Sequence, residues 1–85
     1  MPKYTVTLSK SAAKQLDKLT EAARKPIMSA IEKLAENPRP FGYKKLKGRE
    51  GFRIRIGNYR IIYLIQDLQL FVQVVDVGHR REIYQ

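Results

Sequence analysis

Apolar and polar residues alternate from Lys3 to Leu8, with Tyr4, Val6 and Leu8 on one side and Lys3, Thr5 and Thr7 on the other. A period of two is that of a strand with one buried face. Ser9 or Ser11 can then cap a helix that carries Ala12, Leu16 and Leu19 at spacings of four and three. A second helix begins at Thr20 and lines up Ile27, Ile31, Leu34 and Ala35; Pro26 argues for a start later than Thr20, because proline is best tolerated in a first turn. Asn37-Pro38-Arg39-Pro40 stops that helix. Downstream the period returns to two. Tyr43 to Lys47 predicts a short strand, Phe52 to Ile56 a second, Tyr59 to Ile65 a third and Leu70 to Val77 a fourth, with Gly57-Asn58 as a two-residue hairpin turn.

The order β-α-α-β-β-β-β predicts an α+β fold. An N-terminal strand and a helical hairpin precede a four-stranded antiparallel meander, with the helices packed on one face of an antiparallel sheet. The chain has 85 residues, so residues 1–85 are expected to form a single domain. A hydrophobic content of 44% is enough for a core and argues against intrinsic disorder. The stretch Met1 to Val6 holds no long apolar run, so neither signal peptide nor membrane span is expected. The expected compartment is the cytoplasm, with no membrane partner.

Charge changes the picture more than composition does. Seventeen Lys and Arg stand against eight Asp and Glu, a formal net charge of +9 that calls for an anionic partner. Residues 39 to 60 concentrate it, with Arg39, Lys44, Lys45, Lys47, Arg49, Arg53, Arg55 and Arg60 against Glu50 alone. Such a run can be an ordinary solvated face, but this density favours nucleic acid. The chain has no cysteine and one histidine, which removes disulfides, thiolate metal sites and cysteine nucleophiles. Glu50, Asp67, Asp76 and Glu82 show no metal-ligand spacing, and no cofactor is expected.

The Gly57-Asn58 turn carries the sharpest inference. A two-residue loop sets Ile56 against Tyr59, Arg55 against Arg60, Ile54 against Ile61 and Arg53 against Ile62. Arg53, Arg55 and Arg60 then share one face, and Arg55 and Arg60 are direct cross-strand neighbours. Like charges so placed destabilise a hairpin. Guanidinium forks that bind phosphate oxygens in pairs would offset that cost. His79, Arg80 and Tyr84 follow the last strand, whose exit lies near Arg60, so they are expected to converge on the cluster. If such a site cleaves a phosphodiester without metal, the ribose 2′-hydroxyl is the nearest nucleophile. That attack needs alignment, a base, cations on the phosphoryl oxygens and an acid for the departing 5′-oxygen. Arginines are poor bases, which leaves Tyr84 or His79.

Lys45-Leu46-Lys47-Gly48, the block from Phe52 to Tyr63 reading Arg53-Ile54-Arg55-Ile56-Gly57-Asn58-Tyr59-Arg60-Ile61-Ile62-Tyr63, and the tail from Val77 to Tyr84 resemble the RelE toxins of the RelE/ParE superfamily. The resemblance spans nearly the whole chain. It implies the toxin of a type II toxin–antitoxin pair, an endoribonuclease that enters the ribosomal A site and cuts mRNA through the 2′-hydroxyl. By the same resemblance, Arg60 and Arg80 match arginines that bind the phosphate and assist the leaving group. Tyr84 matches a C-terminal tyrosine proposed as general base, and His79 a position that varies between lysine and histidine. Arg53 and Arg55 stand where the best-known RelE has lysines. Lys44, Lys45, Lys47 and Arg49 read as ribosomal RNA contacts. The implied partners are a RelB-like antitoxin, the ribosome and mRNA. Two alternatives remain at this point: a ParE-like inhibitor of DNA gyrase without nuclease activity, and a basic RNA-binding module without turnover.

Overall fold

The computed structural model describes residues 3–79. Its elements are β1 (Thr5–Leu8), α1 (Lys10–Asp17), α2 (Glu21–Lys33), β2 (Lys44–Lys45), β3 (Phe52–Ile56), β4 (Tyr59–Gln66) and β5 (Phe71–His79). Ser9 caps α1, its hydroxyl accepting from the Ala12 N–H at 3.0 Å. Thr20 caps α2 in the same way through Ala23 at 3.2 Å. Each cap satisfies one of the N–H groups that a first turn leaves without an intrahelical partner. Pro26 therefore sits inside α2, not in its first turn, and the helix begins at Glu21 directly after Thr20. The carbonyl that loses its donor belongs to Ala22, which is exposed along with Pro26, so water can replace the missing bond.

The sheet order is β1-β5-β4-β3-β2. Strands β2 to β5 form the antiparallel meander that the alternation predicts. β1 departs from it by joining the outer edge of β5 in parallel, Thr5 against Phe71 through Leu8 against Val74. The expected all-antiparallel sheet is thus a mixed one. Alternation in β1 fixes which residues face the core but not the direction of a strand whose partner lies some 65 residues away. Strand bounds also differ from expectation: β1 starts at Thr5, β2 contains only Lys44 and Lys45, β4 ends at Gln66, and β5 spans Phe71–His79.

Both helices cover one face of the sheet. Ala12 and Leu16 of α1, Ile27 and Ile31 of α2, and Leu34 beyond it pack with Ile54, Ile61, Tyr63, Val72, Val74 and Val77. Tyr63 is fully buried, and its hydroxyl donates to the Pro38 carbonyl at 2.7 Å. Burial pushes its pKa up to about 12, keeping it a neutral donor. Where β1 ends, α1 takes over the open edge of β5. Ser9 N–H and hydroxyl donate to the carbonyls of Val74 and Val75, and the Gln15 side-chain oxygen accepts from Val77 N–H at 2.7 Å. An edge that would otherwise pair with another chain is closed.

Candidate functional site

The turn between β3 and β4 is built by Gly57 at φ +59°, followed by an Asn58 that keeps negative φ. A glycine in the first central position is the pattern of a type II′ turn, whose twist matches the two strands it joins. The register is the expected one: Ile56 opposite Tyr59, Arg55 opposite Arg60, Ile54 opposite Ile61, Arg53 opposite Ile62 and Phe52 opposite Tyr63. Ile54 and Ile61 belong to the helix-covered core, so Arg53, Arg55 and Arg60 occupy the other face. Ile62 confirms the division, being buried yet absent from that core cluster.

The three arginines are not equivalent. Arg55 is exposed, Arg53 half-buried, and Arg60 only 7% exposed. Burial of a guanidinium, which cannot shed its proton, keeps a permanent cation at a fixed place. Opposite Arg60 on β5 stands Gly78, which brings no side chain beside it. Asp76, registered opposite Ile62 next to a bulge, has its carboxylate held by Gln15 Nε2 of α1 at 2.6 Å.

Strand pairing sorts the remaining basic residues. Lys44 pairs with Arg53 and shares its face, whereas Lys45 pairs with Phe52 and lies on the helix side. Lys47 and Arg49 are exposed in the loop that follows β2. That loop is pinned at Gly51, where φ is +130° and a Cβ would meet Leu46 Cδ1 and the Tyr63 carbonyl, each at 3.3 Å. It would also meet Leu64 Cδ2 at 3.4 Å. Leu64 shares the parity of Arg60 and Ile62, so the loop lies along the arginine face about 13 Å further down β4.

The convergence expected of His79 requires correction. His79 is the last residue of β5 and pairs with Tyr59, one register position from Arg60. Neighbouring positions point to opposite faces, so its ring goes to the helix side. There it meets Tyr59 edge-on, with centroids 5.6 Å apart and planes at 74°. Extending β5 by two residues beyond the predicted Val77 is what turns His79 from a tail residue into a strand residue of fixed parity. Arg80 and Tyr84 lie outside the described residues.

Arg39 belongs to the basic run in sequence, but its guanidinium forks onto Asp67, Nη1 to Oδ1 at 3.1 Å and Nη2 to Oδ2 at 2.8 Å. Tyr4 donates to the same Oδ1 at 2.6 Å. These two donors hold the Asp67 carboxyl down at about 2, and the bond that Tyr4 donates to the carboxylate raises its phenol above the ordinary value. The trio ties the start of β1 and the α2–β2 loop to the β4–β5 turn. Sequence alone gave no sign of it, since its members are 28 and 63 residues apart.

Among the described residues, no group of three or more carboxylate, histidine or cysteine side chains could hold a metal ion. No helix among them is long and apolar enough to cross a membrane.

Comparison with known proteins places this geometry. Residues 6–84 match the profile of the family described as the ParE toxin of the type II toxin–antitoxin system parDE. A chain of Methanocaldococcus jannaschii named as a candidate toxin RelE1 is 37% identical over 87 residues, covering 98% of this chain and 97% of that one. The chain belongs to the RelE/ParE toxin family. Solved RelE structures share its fold. The toxin–antitoxin complex RelBE2 of Mycobacterium tuberculosis superposes with a TM-score of 0.82 at 31% identity, covering 94% of each chain. The archaeal RelE–RelB complex of Pyrococcus horikoshii gives 0.81 at 26%, covering 92% of this chain and 96% of the other. Within this RelE-type toxin, then, the arginine-bearing face is the feature that a shared fold alone does not explain.

Proposed function

We propose that this RelE-type toxin is a ribosome-dependent mRNA endonuclease that acts in the cytoplasm and cleaves in the A site through the ribose 2′-hydroxyl, without a metal ion. The observation that supports it is the hairpin register, which sets Arg55 directly opposite Arg60 with Arg53 and Lys44 on the same face. An RNA backbone laid along that face puts a phosphate between guanidinium forks. In the proposed step the 2′-oxygen attacks phosphorus, the bond to the 5′-oxygen breaks, and a 2′,3′-cyclic phosphate and a 5′-hydroxyl result. The 2′-proton passes to a base and the 5′-oxygen receives a proton from an acid. Arg60 and Arg80 stabilise the charge that gathers on the phosphoryl oxygens, the kind of interaction that strengthens in the transition state. With His79 on the helix side, the base role falls to Tyr84, whose phenolate neighbouring arginines would favour. Lys47 and Arg49 extend the basic track for ribosomal RNA, making docking steeply salt-dependent. A RelB-like antitoxin is the cognate partner, as in the solved RelE–RelB complexes.

A second reading rests on the family profile itself, which is described for ParE. It makes the chain a gyrase inhibitor with no nuclease activity. Induction in cells with mapping of mRNA 5′ ends and of gyrase-linked DNA breaks separates the two. New ends within translated codons, reproduced with purified ribosomes in the presence of a chelator, are the expected result. Intact mRNA with trapped gyrase complexes would transfer the assignment to the second reading.

A further inference from the structure

At the hairpin end of the sheet a pocket of about 450 Å³ opens between α1 and β5. Gln15 and Lys18 line it from the helix side, and Tyr59, Asp76, Gly78 and His79 from the strands. None of these residues takes part in the proposed cleavage step. Tyr59 and His79 have helix-side parity and meet edge-on there. Asp76 has the parity of the arginine face, yet its carboxylate reaches round the edge of β5 to Gln15 Nε2 at 2.6 Å. It can do so because β1 pairs with β5 only as far as Val74, and past that residue α1, not a strand, borders the edge. The two faces of the sheet therefore communicate at this point. The crossing is short. Gly78 is the register partner of Arg60, one strand spacing of about 4.8 Å away, and it raises no side chain between Arg60 and the pocket.

The lining combines two aromatic rings with a carboxylate and an ammonium group. An apolar side chain of a peptide would leave the polar groups without use, and a simple anion would face Asp76. A nucleobase matches the whole set. Its π face stacks on an aromatic ring, while on its edge an exocyclic N–H₂ donates to a carboxylate and a ring nitrogen or carbonyl accepts from a lysine. Lys18 also ends a cationic row, with Lys14 and Lys10 exposed one and two turns back along α1. We propose that this pocket receives the nucleobase next to the phosphate held by Arg60, and that Tyr59, His79, Asp76 and Lys18 set which nucleotide flanks the cut. Arg60 fixes the phosphate on one face, the sugar passes over Gly78, and the nucleobase turns over the edge of β5. A nucleotide held at both ends has less freedom to rotate out of the alignment that in-line attack requires. The effect on cleavage rests on the nuclease reading above, whereas binding of the nucleobase does not.

The test uses the full chain in two assays. In the first, purified ribosomes carry a panel of A-site codons that differ by one base on either side of the cut. In the second, dinucleotides made uncleavable by 2′-O-methylation are titrated into the protein and followed by NMR. The wild type is expected to favour the best base over the worst by roughly tenfold or more, and the dinucleotides to shift the ring signals of Tyr59 and His79. Lys18→Met removes a donor and is expected to lower that ratio several-fold. Asp76→Asn turns an acceptor-only group into one that also donates, and is expected to change which base is favoured. Lys25→Met makes the same charge change as Lys18→Met on α2 and is expected to leave the ratio as it was. Lys18 and Lys25 are both exposed, so neither replacement disturbs the core. Base ratios unchanged in both Lys18→Met and Asp76→Asn, or wild-type cutting that ignores the base, overturn the pocket while the nuclease reading stands. Ring shifts produced by the purified antitoxin and not by dinucleotides give the pocket to a protein partner and overturn it as well. A protein that shows the dinucleotide shifts yet cuts no mRNA keeps the pocket and sinks the nuclease reading instead.

Discussion

Two arginine clusters sit at opposite ends of β4, and they are built on opposite principles. At the β4–β5 turn, Arg39 forks onto the Asp67 carboxylate, with Tyr4 completing the set. At the β3–β4 turn, Arg55 and Arg60 are pressed against each other by strand register, with Arg53 and Lys44 close by. The first arrangement lowers the free energy of the folded chain by itself. The second sets like charges directly opposite one another, a pairing that repels. The chain thus sets a carboxylate against an arginine at one turn and gathers arginines on one face at the other, the face to which the proposed function assigns the RNA phosphate. The clusters should therefore respond differently to mutation, the hairpin cluster through activity and the Asp67 cluster through stability.

The largest effect is expected at Arg60. Arg60→Ala should lower mRNA cleavage on purified ribosomes by about 10²–10³-fold, the scale for removing a preorganised donor from developing charge. Arg60→Lys should recover part of that loss, since it restores the charge but not the planar fork. Arg60 is buried, so thermal melts of both variants must accompany the kinetics. Near-wild-type cutting by the folded Ala variant would remove Arg60 from the site. Next comes Tyr63→Phe, which leaves the buried Pro38 carbonyl without its donor. It should cost about 1–3 kcal/mol and lower Tm by roughly 4–8 °C for each of those kilocalories. Cleavage per folded molecule should be unaffected, because Tyr63 faces the helices and Arg60 does not.

Much of this architecture was legible in the residues because it depends on local spacing. The Gly57-Asn58 turn fixes the β3–β4 register through a two-residue loop, and the shared face of Arg53, Arg55 and Arg60 follows from parity alone. Capping by Ser9 and Thr20 is equally local. What escaped was set by contacts far apart in sequence. The parallel docking of β1 depends on where α1 and α2 carry the chain. The Arg39–Asp67–Tyr4 trio joins three separate segments. His79 belongs to β5 and not to the tail, and the two residues that lengthen the strand give its ring a fixed parity and send it to Tyr59 on the helix side. The division between Lys44 and Lys45 has the same origin.

That division sharpens the comparison at a smaller scale. Lys44 shares the face of Arg53, and Lys45, its neighbour of identical charge, is on the helix side with Phe52. If phosphate is held by the arginine face, Lys44→Ala should weaken RNA or ribosome binding several-fold and reduce the slope of log affinity against log salt by about one contact. Lys45→Ala changes net charge by the same amount and should leave the slope nearly as it was. Equal effects from the two would mean that the basic run acts as a diffuse cloud without a preferred face.

The smallest effect belongs to the other cluster. The Asp67 carboxyl titrates at about 2 in the folded protein, against an ordinary value of 3.8. A depressed pKa means that the unfolded chain takes up the proton first, so the stabilisation is complete above about pH 4 and disappears as the pH falls toward 2. Asp67 and Arg39 are both substantially exposed, and solvent and salt screen such a pair. Asp67→Asn should therefore change Tm only slightly at neutral pH and flatten its decline between about pH 4 and 2, with the difference shrinking in 1 M salt. Cleavage by the folded variant should match the parent, because no part of this trio lies on the face of Arg53, Arg55 and Arg60. An acid limb of unchanged slope would show that the fork on Asp67 contributes no net stability, and the contrast between the two turns would then rest on the hairpin alone.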